Sequence, residues 1–199
     1  MKPSKTPITW SILIAILLVF LAQLVEGDTL IERGAIVRSL VLQGEYWRLL
    51  TAMFLHGGFL HAILNLWALY QLGSLFETLF GSGRFLLAYF ATGILASIAS
   101  AVFTNGYSVG ASGAIFGILG ALIISIRRSP VWRHQPWTRG ITRQLMGWAV
   151  INVIIGFTVP HIDNAAHLGG FAGGLLLGLI PHRVPPPPPA QMVIETEKL

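Results

Sequence analysis

Long apolar blocks separated by short polar breaks dominate the chain. They lie near 8-25, 58-76, 84-103, 109-126, 144-160 and 163-180. Each approaches the roughly 20 residues that a helix needs to cross a hydrocarbon core of about 30 Å. The pattern predicts an all-α polytopic membrane protein, a bundle of six transmembrane helices over residues 1-183. The first block follows Lys2 and Lys5 and has the outline of a secretion signal. No small-x-small cleavage site follows "FLAQLVEG", however, and five more blocks come after it, so it reads as a retained first helix. The connection over 26-57 is long and contains "EYWRLL", where Trp47 and Arg48 suit a segment anchored among headgroups. Past the last block, PPPPP at 185-189 favours a polyproline II spacer, and "AQMVIETEKL" has no apolar core. Residues 184-199 are therefore expected to be a Pro-rich disordered cytoplasmic tail.

Composition agrees with the blocks. Of the 199 residues 54% are hydrophobic and 11% charged, where soluble domains carry about a quarter charged; the mean hydropathy is +0.70. With no cysteine, a disulfide framework, a thiolate zinc site and a cysteine nucleophile are all excluded. The net charge of +5 points to topology rather than to nucleic acid. With six spans, one side of the membrane holds Lys2, Lys5, Arg84, Arg127, Arg128, Arg133, Arg139, Arg143, Arg183 and Lys198. The other holds only Arg33, Arg38 and Arg48 of the thirteen basic residues. The positive-inside rule then places both termini in the cytoplasm, and the second, fourth and sixth spans run inward from the outer face.

Direction gives meaning to polar residues near the starts of those three spans. Ser112 falls roughly 5–8 Å below the outer interface, and His167, His61 and Asn65 fall at a similar depth. Alone, Ser112 reads as a packing residue and Asn65 as interhelical glue, whereas His167, an ionisable group inside a span, points to function with a satisfied structural histidine as its alternative. Their agreement in depth favours a site. Gly113 and Gly117 form one GxxxG and Gly170 and Gly174 another, so the fourth and sixth spans are expected to approach backbone to backbone and bring His167 to Ser112. An imidazole hydrogen-bonded to a hydroxyl is the minimum for an activated oxygen nucleophile. His61 and Asn65 share a helix face and can donate to an oxyanion, as can the Ser112 backbone N–H if the helix starts at Gly110 and Ala111. Asp163 reads as a helix cap rather than a third catalytic member. His56 and His161 are expected at the interface, and His134 and His182 on the inner side. The chain has neither an HExxH zinc motif nor a GxGD aspartate inside a span. A transporter would spread polar groups across the midplane and show inverted repeats, which the sequence does not.

"WR" at Trp47-Arg48, "HxxxN" at His61-Asn65, "GASG" at Gly110-Gly113 and "AHLGGFAGG" at Ala166-Gly174 occur in an order and spacing that resemble the rhomboid family of intramembrane serine proteases, over roughly 40-180. The resemblance implies a Ser112-His167 dyad without an acid partner, His61 and Asn65 as oxyanion donors, and His56 as a second histidine atop the same helix. It further implies Phe116 packed near the catalytic histidine, Glu77 in a structural role, and supporting roles for Gly110, Gly113 and Gly170. The six-span form is similar to the bacterial-type core, which implies a bacterial plasma membrane. The implied partners are transmembrane protein substrates and the lipid bilayer, with no nucleic acid, cofactor or metal. Cleavage below the interface would require a polar cavity open to the outside. The rival expectation is a non-proteolytic rhomboid-like protein that binds transmembrane clients.

Overall fold

The structure, a computed structural model, describes residues 6–159 and 162–180. The described chain runs α1 (Pro7–Glu26), α2 (Thr29–Gly34), β1 (Ile36–Val37), α3 (Arg38–Leu42), α4 (Arg48–Thr51), α5 (Phe59–Phe80), α6 (Ser82–Phe103), β2 (Tyr107–Ser108), α7 (Ser112–Arg128), α8 (Thr138–Thr158) and α9 (Asn164–Leu179). Six long helices thus fall on the six apolar blocks. The expected tail over 184-199, and His161 and His182, lie outside the described residues.

Four of the six, α1, α5, α6 and α8, are long and apolar enough to cross a membrane. The other two are shorter, 17 residues in α7 and 16 in α9. At 1.5 Å per residue they span only about 24–26 Å. Of these, α7 forms the centre of the bundle, where only Ser112, Ile124, Arg127 and Arg128 escape full burial, whereas α9 packs against it on one side and leaves Leu168, Leu176 and Leu179 exposed on the other. Two helix starts differ from expectation. The fourth helix begins at Ser112 instead of 109, because Gly110 takes φ +130°, a left-handed conformation that a helix cannot include. The fifth begins at Thr138 instead of 144 and carries Arg139 and Arg143 in its first turns.

Glycine sets the spacing of the central three helices. A Cβ on Gly170 or Gly174 would strike the carbonyl oxygen of Gly113 or Gly117, so α9 lies directly against the α7 backbone. The α7 glycines play a different part from the one expected. A Cβ on Gly113 or Gly117 would strike Ala96 or Thr92 of α6 rather than α9. The α9 glycines admit α7, and those of α7 admit α6. The pairs Ala96–Gly113 and Thr92–Gly117 show α6 antiparallel to α7, while Gly113–Gly170 and Gly117–Gly174 show α9 parallel to it. Phe76, Phe85, Tyr89, Ile118, Leu122 and Ile126 fill the core beneath.

Polar side chains secure the first helix at both ends. The Glu77 carboxylate of α5 accepts from the backbone N–H groups of Ile8 (3.0 Å) and Thr9 (2.8 Å) and from the hydroxyls of Thr9 (2.7 Å) and Ser82 (2.6 Å). It satisfies a first turn that has no side-chain cap of its own and lies at the positive end of the helix dipole. This is the structural role expected of Glu77. At the other end Gln23 donates to the His56 carbonyl and accepts from the His56 N–H, both at 3.0 Å.

The long connection is itself folded. β1 pairs antiparallel with β2, Ile36 opposite Ser108 and Val37 opposite Tyr107. Arg48 does not reach toward headgroups as expected. It is 4% exposed and donates to the carbonyls of Glu32 (2.9 Å) and Ala35 (2.8 Å) and to the Glu45 carboxylate (2.6 Å). A guanidinium with donors on several sides can tie three strands of loop together, which is what it does here. Trp47, by contrast, is exposed, as an interfacial anchor should be.

Candidate active site

Ser112 is the first residue of α7 and His167 the fourth of α9, and the parallel packing of the two helices puts both at one end of the bundle. The His167 Nε2 lies 2.9 Å from the Ser112 Oγ. His167 is buried, and the Phe116 ring, one turn beyond Ser112, stacks on the imidazole at 4.2 Å with 9° between the planes. That stack holds the ring edge-on to the hydroxyl. The His167 Nδ1 has no hydrogen-bond partner among the described residues. A neutral ring that accepts from Ser112 through Nε2 must carry its proton on Nδ1.

Asp163 is a cap, as its position suggested. Its carboxylate accepts from the Ala166 N–H (3.0 Å), and Ser100 (2.5 Å) in the last turn of α6 and Thr104 (2.7 Å) just past its end donate to it as well. No hydrogen bond joins it to the His167 ring.

Gly110 is required twice. Its φ of +130° suits glycine, and a Cβ there would lie 2.9 Å from the His61 Nε2. The Gly110 N–H donates to the Ala52 carbonyl at 2.9 Å, which fixes the loop just before the serine. The His61 Nδ1 accepts from the Gly57 N–H at 3.3 Å. A neutral His61 therefore bears its proton on Nε2, the nitrogen beside Gly110 and so on the serine side. The Ser112 N–H, at the start of α7, has no acceptor within its helix.

Asn65 makes a local hydrogen bond that its spacing did not announce. Its side-chain amide donates to the His61 carbonyl one turn back, at 2.9 Å, and no hydrogen bond among the described residues links it to Ser112. An amide on this helix face can satisfy its own backbone before it reaches across. His56 differs from expectation, for it is 1% exposed rather than interfacial. Its ring packs edge-on against His61 at 5.1 Å. Burial first, and then the neighbouring His61, push its pKa down to about 4. His134 is exposed and far in sequence and fold from these groups, as expected.

One cleft lies between the outer loop and the end of α6, lined by Val37, Arg38, Leu42, Asn105 and Tyr107, and another between α5 and α8, lined by Leu75, Leu79, Trp137 and Ile141. Neither reaches Ser112, which is itself partly exposed. Sequence reading missed the Ser100–Thr104–Asp163 cluster and the Gln23–His56 pair. The hydroxyls four apart at the end of α6 were the one available signal, since they share a helix face.

A family model described as the rhomboid domain matches residues 43–184. The rhomboid protease GluP of Bacillus subtilis is 44% identical over 167 residues, which cover 82% of this chain and 32% of that protein. The RHOMBOID-like protein 5 of Arabidopsis thaliana is 39% identical over 155 residues, 76% of this chain and 49% of the relative. The Rhomboid-like protease 1 of Toxoplasma gondii is 32% identical over 158 residues, 77% and 53% respectively. The chain belongs to the rhomboid family and is an integral, multi-pass, all-α membrane protein. It spans between a third and a little over half of the length of these relatives.

Proposed function

We propose that the protein is an intramembrane serine endopeptidase that cleaves transmembrane segments of other membrane proteins. The observation that carries this reading is the 2.9 Å contact between the Ser112 Oγ and the His167 Nε2, with Phe116 stacked on the imidazole. Ser112 is the nucleophile and His167 the general base. As the Oγ bonds to the scissile carbonyl carbon, its proton passes to the His167 Nε2; the ring then gives that proton to the leaving amine, and water releases the acyl group from Ser112. The Ser112 N–H and the His61 Nε2–H donate to the oxyanion. Asn65 supports this by fixing the turn of α5 that carries His61, and its second amide hydrogen can reach the oxyanion once substrate is seated. His56, Gly110, Gly113 and Gly170 hold the frame. The 1-183 helical unit does the chemistry in a bacterial plasma membrane, with both termini cytoplasmic and the site in the outer half. No step calls for a cofactor or metal.

The test uses purified protein in proteoliposomes with a reporter transmembrane substrate. Ser112→Ala and His167→Ala should each lower cleavage by about a thousandfold or more, and a fluorophosphonate should label the wild type and not Ser112→Ala. The alternative, a non-proteolytic protein that binds transmembrane clients, expects the substrate to be captured by wild type and both variants alike without cleavage.

A further inference from the structure

The reaction above leaves the half-buried carboxylate of Asp163 without a chemical role. Asp163 is the sole acidic residue between Glu77 and Glu195. Neutral donors hold its carboxylate, among them the Ser100 and Thr104 hydroxyls and the Ala166 N–H. No lysine or arginine pairs with it among the described residues, where the one ion pair is Arg48–Glu45. Arg38, which reaches the end of α6, gives its hydrogen to the Val102 carbonyl instead. A half-buried negative charge is thus kept in place with no cation beside it among the described residues.

Its place on α9 gives that charge a use. Asp163 precedes the helix and His167 stands one turn on, about 6 Å along the axis. The start of a helix carries partial positive charge, which disfavours a cation on a residue in the first turn. Yet a cation is what His167 becomes when it takes the serine proton. Ser, Thr or Asn would cap this helix as well as Asp does, so capping alone does not call for a charge. Asp163 is the one anionic side chain within a turn of His167 on this helix.

We infer that Asp163 is a positioning residue that sets the field along the first turn of α9 and so favours the His167 imidazolium, without touching the ring. The inference rests on the protease reading above. In the acyl-transfer step the Ser112 O–H bond breaks, the Oγ–carbon bond forms, the proton goes to Nε2, and the carbonyl oxygen becomes the anion. A fixed negative charge one turn from the new cation lowers the free energy of that ion pair's cationic half.

The test compares Asp163→Asn, Asp163→Glu and wild type in proteoliposomes, with kcat and KM for the reporter substrate, the rate of fluorophosphonate labelling, and the thermal midpoint. Asn keeps the cap and loses the charge, whereas Glu keeps the charge and is the poorer cap. A field effect expects Asp163→Asn to lose tenfold or more in kcat and in labelling rate, with KM within twofold and an unchanged midpoint, and Asp163→Glu to retain more kcat than Asp163→Asn. If Asp163→Asn matches wild type, or outperforms Asp163→Glu, the role is capping only and the inference is overturned. Should Asp163→Asn fail to fold, Ser100→Ala and Thr104→Val take its place, since they remove donors and leave the charge. A kcat held within twofold in both supports the field, and a tenfold loss in either overturns it. Ser112→Ala runs alongside: if it still cleaves, the protease reading itself fails, a result distinct from any ranking at Asp163.

Discussion

The α6–α7–α9 core and helix α8 are both apolar, yet they are built in opposite ways. In the core, glycines at 113, 117, 170 and 174 leave no room for a single added carbon. On α8 only Thr138, Thr142, Leu145 and Ala149 are buried, and Val150, Ile151, Ile154 and Phe157 face outward. Apolarity drives neither arrangement, because lipid is as apolar as leucine. What separates them is backbone proximity, from which dispersion and weak polar contacts draw their strength in a membrane. The proposed dyad sits wholly on the tightly packed side. A reacting pair that must be held to a few tenths of an ångström is thereby placed where the helices have least freedom.

The comparison can be broken most severely at Gly170. Gly170→Val should push α9 off the Gly113 carbonyl, part Ser112 from His167, and lower cleavage by about a hundredfold or more along with the thermal midpoint; activity near wild type would mean that the close approach is not what holds the pair. Phe116→Ala should come next. It keeps both reacting groups but frees the imidazole, and a loss of about tenfold in kcat is expected with fluorophosphonate labelling slowed in proportion. On the loose side, Trp148 stacks on Trp67 of α5 at 5.2 Å. Trp148→Ala should cost about 1 kcal/mol in detergent unfolding, within the range of an aromatic pair. The smallest effect belongs to Gly147→Ala, where an added Cβ meets nothing within 4 Å. Stability should hold or rise by up to about 1 kcal/mol through helix propensity, and the contrast with Gly170→Val is the sharpest single measure of the difference between the two regions.

Much of this was readable from residue spacing. Counting spans placed Ser112, His167 and His61 at one end of the bundle because helix direction alternates, and that requires only the number of apolar blocks. Asp163 was readable as a cap because capping is local, decided within three residues. What escaped reading is what depends on rotation about a helix axis or on partners far along the chain. Gly113 and Gly117 could face α6 or α9 with equal justice, and GxxxG spacing does not say which. Arg48 looked like a headgroup anchor because its carbonyl partners, Glu32 and Ala35, leave no signature in sequence. The burial of His56 leaves no signature either, since Gln23, which bonds its backbone, lies 33 residues away. Asn65 turned inward upon its own helix, a choice between two good acceptors that composition cannot weigh.

The Glu77 cap carries a consequence for how the protein is made. The first turn of α1 is synthesised early, but the carboxylate that satisfies the Thr9 N–H is 68 residues further along. At roughly 5–20 residues per second this is a wait of several seconds. During that interval Ile8 and Thr9 must keep their N–H groups in water or among headgroups, because such groups are costly to leave bare in hydrocarbon.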